Sequence, residues 1–453
     1  MKRFIETLRN IYKIDDLRKK ILYTLGIIVI YRIGSFIVLP GVDPNQLGAL
    51  QTQASDGLLG LLNMFSGGAF SNASIFALGI MPYISASIVI QLFGMAVPYF
   101  QKLQKEGESG RRKINQITRF LTIAITALQA PAYLTNLTSQ LPNSAFIPFD
   151  GAAPGIFFWV SSTILLTSGT LFVMWLGERI TDNGIGNGIS LIIMIGIIAR
   201  LPFALFGEFV SRLEQQGGGL VVFALEIVVL ILVILLCILL VQGTRRIPVQ
   251  YAKRVVGNKQ YGGVRQYLPM KVNAAGVMPI IFAQAIMFIP VTIAGFASPE
   301  SVNNGFWRAL MDFTGFWYNF VFAIIIIAFT YFYTAITMNS AQISDDLKKN
   351  GGFIPGVKPG KRTAEFIDDV ISRITLPGSI FLAIVAILPA IVGLFGVSSQ
   401  FAQFYGGTSL LILVGVILDT LQQIESQLLM RHYDGLTKSG RIKGRTSGAY
   451  GVS

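Results

Sequence analysis

Apolar stretches of about 20 residues, each long enough as a helix to cross the hydrocarbon of a bilayer, recur ten times in this 453-residue chain. A soluble core cannot bury ten of them, so most of the chain faces lipid or other helices. The expected fold is an all-α polytopic membrane protein with ten transmembrane helices, near residues 21–39, 74–97, 114–136, 155–177, 185–206, 219–241, 273–293, 316–337, 370–393 and 407–429. With 53% hydrophobic and only 13% charged residues, disordered, fibrous and ordinary soluble classes are excluded. One cysteine, Cys237, and one histidine, His432, cannot form a disulfide or a multi-ligand His/Cys metal site within one chain. No GxxxxGK[ST] stretch is present to cradle a nucleotide phosphate. The nearest, Gly360-Lys361-Arg362, lacks the upstream glycine spacing and the hydroxyl. No cofactor or metal is expected, and the chain is not expected to be an enzyme.

The formal charge of +13 is unevenly placed. The termini and even-numbered connections hold Lys2, Arg3, Lys19, Lys20, Arg111, Arg112, Lys113, Arg245, Arg246, Lys348, Lys349, Arg441 and Arg445 among others, whereas the odd-numbered side carries only Arg200, Arg212 and Arg308 of the 36 basic residues. The acids on that side (Asp43, Asp56, Asp150, Glu208, Glu214, Glu300, Asp312) count for little, so the basic residues place both termini in the cytosol. A cleaved signal peptide at the N-terminus is the competing reading. The basic stretch is long and interrupted by Ile and Leu, the apolar run contains Arg32, and no small-x-small site ends it. Residues 1–20 read instead as an amphipathic cytosolic segment.

Ten spans divide into 21–206 and 207–429, five each. Because five is odd, a duplicated half would sit upside down, as an inverted repeat. Residue-level similarity between the halves is not evident, so this rests on the count alone. The basic, glycine-containing tail 430–453 reads as cytosolic, and as disordered from Thr437 onward.

Between the first two spans, 57–72 (GLLGLLNMFSGGAFSN) is apolar but too short and glycine-rich to cross. It suggests a half-helix folded back into the protein, which implies a cavity. An amphipathic helix on the outer surface is the alternative. Isoleucines at four-residue spacing, Ile80 with Ile84 and Ile189 with Ile193, keep to one helix face. They could form the waist of a pore closed by dewetting, or simply pack against lipid or core. Gln91, Gln129, Asn273 and Gln284 are candidates for hydrogen bonds between helices, either at a boundary that opens or as static glue. Arg32 and Glu226 are costly at membrane depth and must face protein or water, or snorkel.

The connections 243–271 and 339–365 are too long for topology alone to explain. The first has seven basic residues and no acid. Both read as a docking surface for a large acidic or phosphate-rich partner.

Several stretches resemble the bacterial SecY family, the central subunit of the protein-conducting channel, almost end to end. They are YRIGSFIVLPGVD (31–43), NMFSGGAFSNASIFALGIMPYISASIVIQL (63–92), KEGESGRRKINQITR (105–119), WLGERITDNGIGNGIS (175–190), LPMKVNAAGVMPIIFAQ (268–284), FIPGVKPGKRT (353–363) and GGTSLLI (406–412).

The resemblance implies two inverted five-helix halves around an hourglass pore, with a lateral gate between spans two and three and spans seven and eight. It puts a pore ring on Ile80, Ile84, Ile189, Ile193, Ile281 and Ile412, and a plug on 57–72, including Gly57, Leu58, Leu59, Asn63, Met64, Phe65, Gly67 and Gly68. Gate polar residues would be Gln91, Gln129 and Asn273. Docking residues would be Arg245, Arg246, Lys253, Arg254, Lys358, Lys361 and Arg362. Implied partners are small helical subunits of the SecE and SecG type, the SecA motor ATPase, the ribosome, signal sequences and unfolded preproteins, with lipid beside the gate. The implied location is the bacterial cytoplasmic membrane. The chain departs from the family at Lys358, where arginine is usual, and at Val38-Leu39, where Ile-Pro is common. Lysine keeps the charge there but loses the planar fork. A small-solute secondary transporter would share the span count and repeat, but it would need a polar midplane site. An intramembrane enzyme would need a Ser/His, paired-aspartate or HExxH constellation, and the spans contain none.

Overall fold

The computed structural model describes residues 14–48, 50, 60, 63–146, 155–214, 219–251, 254–256, 259–261, 265–284, 286–287 and 315–438. Helix α1 (Asp15–Gly34) starts with Asp15 and Asp16 in its first turn and ends near Arg32, charges that match the helix dipole at each end. It is one continuous helix, so the boundary expected at residue 20 is not a break.

Among the described residues that follow, Pro44–Gln46 form a 3-10 turn, 63–65 are helical and 66–80 are turns around an isolated bridge at Ser74, after which α2 (Met81–Ala96) begins, with proline in its first turn. The second span was expected from residue 74. The helix cannot begin there, because Gly79 has φ +54 and Pro82 suits a first turn but not an interior. A short α3 (Pro98–Lys105) bends away from α2 by 96°. Five long helices complete the spans up to the first long loop and the next: α4 (Glu108–Gln140), α5 (Ile156–Asn183), α6 (Gly188–Glu214), α7 (Gly219–Gln242) and, beyond the loop, α8 (Phe316–Thr337). Then come α9 (Ser340–Lys349), α10 (Lys361–Leu394), the short α11 (Ser399–Ala402) and α12 (Gly407–Lys438). Thr118, Thr122 and Thr126 lie buried along α4, each donating to the carbonyl four residues earlier at 2.9, 2.8 and 2.7 Å. Hydroxyls satisfied within their own helix can be packed without a partner across it.

Among the described residues, seven helices are long and apolar enough to cross a membrane, or eight if the bent α2/α3 pair is one span. Of the ten expected spans, α1 carries too many charges to meet the same test. The seventh is described only as far as Met287. The architecture is an all-α polytopic membrane fold. Side chains such as Val221, Leu225, Val228 and Leu239 of α7 stay exposed, as a lipid-facing helix requires.

Three apolar cores order the spans. One joins 39–50 and 70–77 to α4 and α5, and a second joins α7, residues 280–287, α8, α10 and α12. The third lies between these groups and draws on α1, the turns after residue 63, α5, α6, residues 397–405 and α12.

The long loops hold structure of their own. Strands β1 (Thr244–Tyr251), β2 (Arg254–Val256), β3 (Lys259–Tyr261), β4 (Arg265–Lys271) and β5 (Gly352–Phe353) form a β4-β1-β5 sheet and a β2-β3 hairpin. All pairings are antiparallel, β1 to β4 from Thr244↔Lys271 to Gln250↔Arg265, and β1 to β5 through Gln250↔Phe353 and Tyr251↔Gly352. Ile247, Val249 and Met270 bury one face with Leu347, Ile354 and Ile367. The two loops are therefore one small packed unit. At the far end, α12 continues through Thr437 and Lys438, two residues expected to be disordered; 439–453 lie outside the described residues.

Candidate pore and its closure

The expected plug is described from Asn63 onward; Gly57, Leu58 and Leu59 lie outside the described residues. A half-helix was expected, but helix persists only to Phe65. Beyond it Gly67 and Gly68 adopt φ +65 and +92, which end the helix and turn the chain. This turn is inside the protein, since Asn63, Met64, Phe65, Ser66, Ala69, Phe70 and Ser71 are all buried, so the surface-helix alternative does not hold for it. The turn is held internally by Asn63, whose carbonyl accepts from the Gly68 amide (2.8 Å) and whose Oδ1 accepts from the Ser71 amide (3.0 Å).

Three helices hold it from outside. Tyr31 and Arg32 of α1 donate to the Ser66 and Gly67 carbonyls at 3.1 and 2.9 Å. Arg200 of α6 donates to Ser71 Oγ at 2.9 Å, and Tyr133 of α4 to the Phe70 carbonyl at 3.0 Å. A Cβ on Gly196 would lie 2.8 Å from the Phe65 carbonyl oxygen, so α6 meets the turn backbone to backbone.

The six isoleucines come together. Ile80, Ile193 and Ile412 are buried in the central core, and Ile84, Ile189 and Ile281 pack against it. Met64, Phe65 and Ala69 of the turn belong to the same cluster. Residues from two sequence-distant pairs and two single positions thus meet in one cluster with the buried turn. Ile80 is the residue just before α2, and its carbonyl accepts from the Ile84 amide at 3.1 Å.

The helix starts show the residue-level similarity between the halves that was not evident from the sequence, where the inverted repeat rested on the span count alone. Gly79-Ile80-Met81-Pro82 and Gly276-Val277-Met278-Pro279 both precede or open a helix, and both glycines have positive φ, +54 and +63. In this register Ile84 matches Ile281. Likewise Gly188-Ile189-Ser190-Leu191-Ile192-Ile193 matches Gly407-Thr408-Ser409-Leu410-Leu411-Ile412, which pairs Ile193 with Ile412. The signal was present as a four-residue and a six-residue match, separated by unrelated sequence.

The proposed gate residues are not joined. Asn273 was expected inside a span but sits in turns before the helix at 278–284, which Gly276 and Pro279 delay. Among the described residues it is buried with Oδ1 unpartnered, while Gln91 donates within α2, to Ser87 Oγ at 3.4 Å. Gln129 is half-buried, and Gln284, a candidate for hydrogen bonds between helices, is buried; no hydrogen bond links these four among the described residues.

Arg245 and Arg246 are exposed at the start of β1, Lys361 and Arg362 are exposed in the first turn of α10, and Lys358 is exposed just before it. Lys253 lies outside the described residues, and Arg254 is in β2. Lys361 and Arg362 place cations at the positive end of a helix, which costs a few tenths of a kcal/mol or more (about 0.3–1) and so is not explained by stability.

Sequence reading also left Arg32 and Glu226 without roles. Arg32 donates to the Gly67 carbonyl of the buried turn. Glu226 of α7 accepts from Arg212 Nη2 at 2.7 Å; Arg212 Nε meets Glu208 at 2.9 Å and Nη2 also donates to the Gly396 carbonyl at 2.9 Å. Glu208 Oε2 in turn accepts from the Ser398 amide at 2.9 Å.

The SecY family model matches residues 74–421. The chain belongs to the SecY family. The protein translocase subunit SecY of Streptomyces scabiei is 44% identical over 440 residues, covering 94% of this chain and 98% of that one. Among solved structures, a SecY protein whose plug domain stabilizes the closed state of its translocation channel superposes with a TM-score of 0.60 at 18% identity, covering 94% of this chain and 95% of that one. Canine Sec61 in a ribosome-channel complex superposes at 0.57 and 16% identity, again covering 94% and 95%. At such identities the structures speak for a shared SecY fold alone.

Proposed function

We propose that this chain is the pore subunit of a protein-conducting channel in a bacterial cytoplasmic membrane, with both termini cytosolic and the halves 21–206 and 207–429 opposed around the pore. The observation that carries the reading is the convergence of six isoleucines on one cluster with the buried 63–71 turn. An aliphatic waist closes to ions and water by dewetting and binds no particular side chain strongly, which suits a polypeptide of changing sequence. The turn seals the resting waist as a plug. A signal sequence then opens the boundary near Gln91, Gln129 and Asn273, and apolar segments leave through it into lipid.

The unit carrying Arg245, Arg246, Lys358, Lys361 and Arg362 is the docking surface for a motor ATPase of the SecA type and for the ribosome, phosphate-rich or acidic partners that such a basic surface attracts in a salt-dependent way. Small subunits of the SecE and SecG type brace the halves. Direction comes from a partner or the membrane potential; the chain itself performs no catalytic step.

The test uses the single cysteine, Cys237, which is buried. With Cys237→Ser in place, a crosslinkable cysteine at Ile80, Ile193 or Ile412 is presented with a stalled precursor in the assembled channel. Adducts at these positions that require a functional signal sequence are expected. Their absence, with the precursor docked and the cysteines reactive, would overturn the reading and direct attention to small-solute flux.

A further inference from the structure

The residues that close a channel need a hold that is firm at rest and yields on demand. Arg32 and Arg200 supply an unusual one. They come from α1 and α6 and grip neighbouring points on the same turn, the Gly67 carbonyl (2.9 Å) and Ser71 Oγ (2.9 Å). The turn is shaped to receive them. A Cβ on Gly67 would come within 2.8 Å of Arg32 Nη1, and one on Gly68 within 3.2 Å of Arg200 Nε. Both glycines have positive φ, so the bare backbone turns and seats the two guanidinium groups at once.

Neither arginine forms an ion pair among the described residues; Arg32 otherwise lies over the Phe36 ring at 5.3 Å. Their acceptors on the turn are therefore neutral. A charged donor on a neutral acceptor is stronger than an ordinary hydrogen bond, yet it leaves no stranded carboxylate when broken. A cavity beside the turn, lined by Asn63, Met64, Arg200, Phe203, Gln400 and Gln403 among others, leaves space next to the Arg200 guanidinium that a water can fill when Ser71 moves off.

We infer that Arg32 and Arg200 are positioning residues that latch the plug, and that their strength sets how good a signal sequence must be to open the channel. The inference rests on the reading of this turn as a plug. Weakening the latch shifts the closed-open balance without touching the waist or the basic docking unit. Loss of one hydrogen bond to a charged group from the closed state alone shifts that balance roughly ten-fold to a hundred-fold.

The test measures resting ion conductance of the assembled channel in planar bilayers, together with export of two precursors, one with an intact and one with a crippled signal sequence. Arg200→Ala and Arg32→Ala are each expected to raise resting open time about ten-fold or more and to rescue the crippled precursor, with export of the intact one unchanged. Arg200→Lys and Arg32→Lys should recover part of the seal, because an ammonium still donates. Ser71→Ala removes the acceptor without altering Arg200, together with the hydroxyl's own bond to the Gly68 carbonyl (3.1 Å); it should give at least the Arg200→Ala effect, and adding Arg200→Ala to it should raise the leak no further; it also serves if an arginine variant fails to accumulate. Ile80→Ser with Ile193→Ser is the leak control. A leaking control with tight, stringent arginine and Ser71 variants would overturn the latch. So would equal loss of both precursors that lysine does not recover, which marks a merely structural role. A control that fails to leak would instead count against the pore ring.

Discussion

Arg212 and the Arg32/Arg200 pair show two ways of keeping an arginine inside a membrane protein. Arg212 is buried between two carboxylates, Glu208 and Glu226, with the Gly396 carbonyl as a further acceptor. Its knot ties α6 and α7 to the segment before α11, because Glu208 also takes the Ser398 amide. Arg32 and Arg200 meet only neutral oxygen on the plug turn. A buried charge that has lost its partner is expensive, so a carboxylate-bound arginine belongs where nothing moves. A neutral acceptor that leaves can be replaced by water, so the arginines on the plug suit a contact made to be broken. The difference separates a permanent tie from a reversible one along a single helix, α6, which carries Arg200 near its middle and Arg212 in its last turn.

The sharpest break in this comparison comes from Arg212→Ala. It strands Glu208 and Glu226, which should cost about 3–5 kcal/mol and appear as a large loss of folded protein in detergent or a lowered unfolding midpoint. Arg200→Ala strands no carboxylate and should leave that midpoint nearly unmoved. Equal destabilisation by the two would erase the distinction between knot and latch.

Gly196→Ala probes the plug contact without changing any charge. Its new Cβ would sit 2.8 Å from the Phe65 carbonyl oxygen and 3.1 Å from the Gly67 amide. Both neighbours are backbone, so the turn must shift as a whole. Overpacking of this kind costs roughly 1–3 kcal/mol, and the reversible contact is the one expected to yield. Resting conductance should rise while the unfolding midpoint falls little. A stable, tightly sealed variant would mean that the turn gives way locally and that the close approach of α6 is not what seats it.

What was legible in the sequence followed physical range. Span length is a local property, so the helices fell close to their expected places. The errors clustered where glycine and proline delay a helix start, at 79–82 and 276–279, and where Gly67 and Gly68 turn the plug. Four-residue spacing marked Ile80 with Ile84 and Ile189 with Ile193 as a waist or as ordinary packing without deciding between them, and Ile281 and Ile412 entered only with the resemblance, because a shared cluster of distant residues leaves no periodic mark. The sheet was hidden by its own charges: in TRRIPVQY, Ile247 and Val249 alternate inward, but the neighbouring arginines made the segment read as a basic loop. The Arg212 knot could not be read at all. Its acceptor at Gly396 lies 184 residues away, and before folding Glu208 and Arg212 are merely two charges near a connection.

Tyr133→Phe makes the finest distinction within the plug's own contacts. Tyr133 donates to the Phe70 carbonyl at 3.0 Å, one ring edge-on to the other with centroids 4.9 Å apart. Phenylalanine keeps the ring packing and removes a neutral donor, a loss of about 0.5–1.5 kcal/mol. Resting conductance should therefore rise less than in Arg200→Ala, although both variants lose one hydrogen bond to the same turn. The ratio of the two leaks isolates what the charge contributes. If Tyr133→Phe leaks as much as Arg200→Ala, the plug is held by the number of its hydrogen bonds rather than by charged donors, and arginine has no special part in its release.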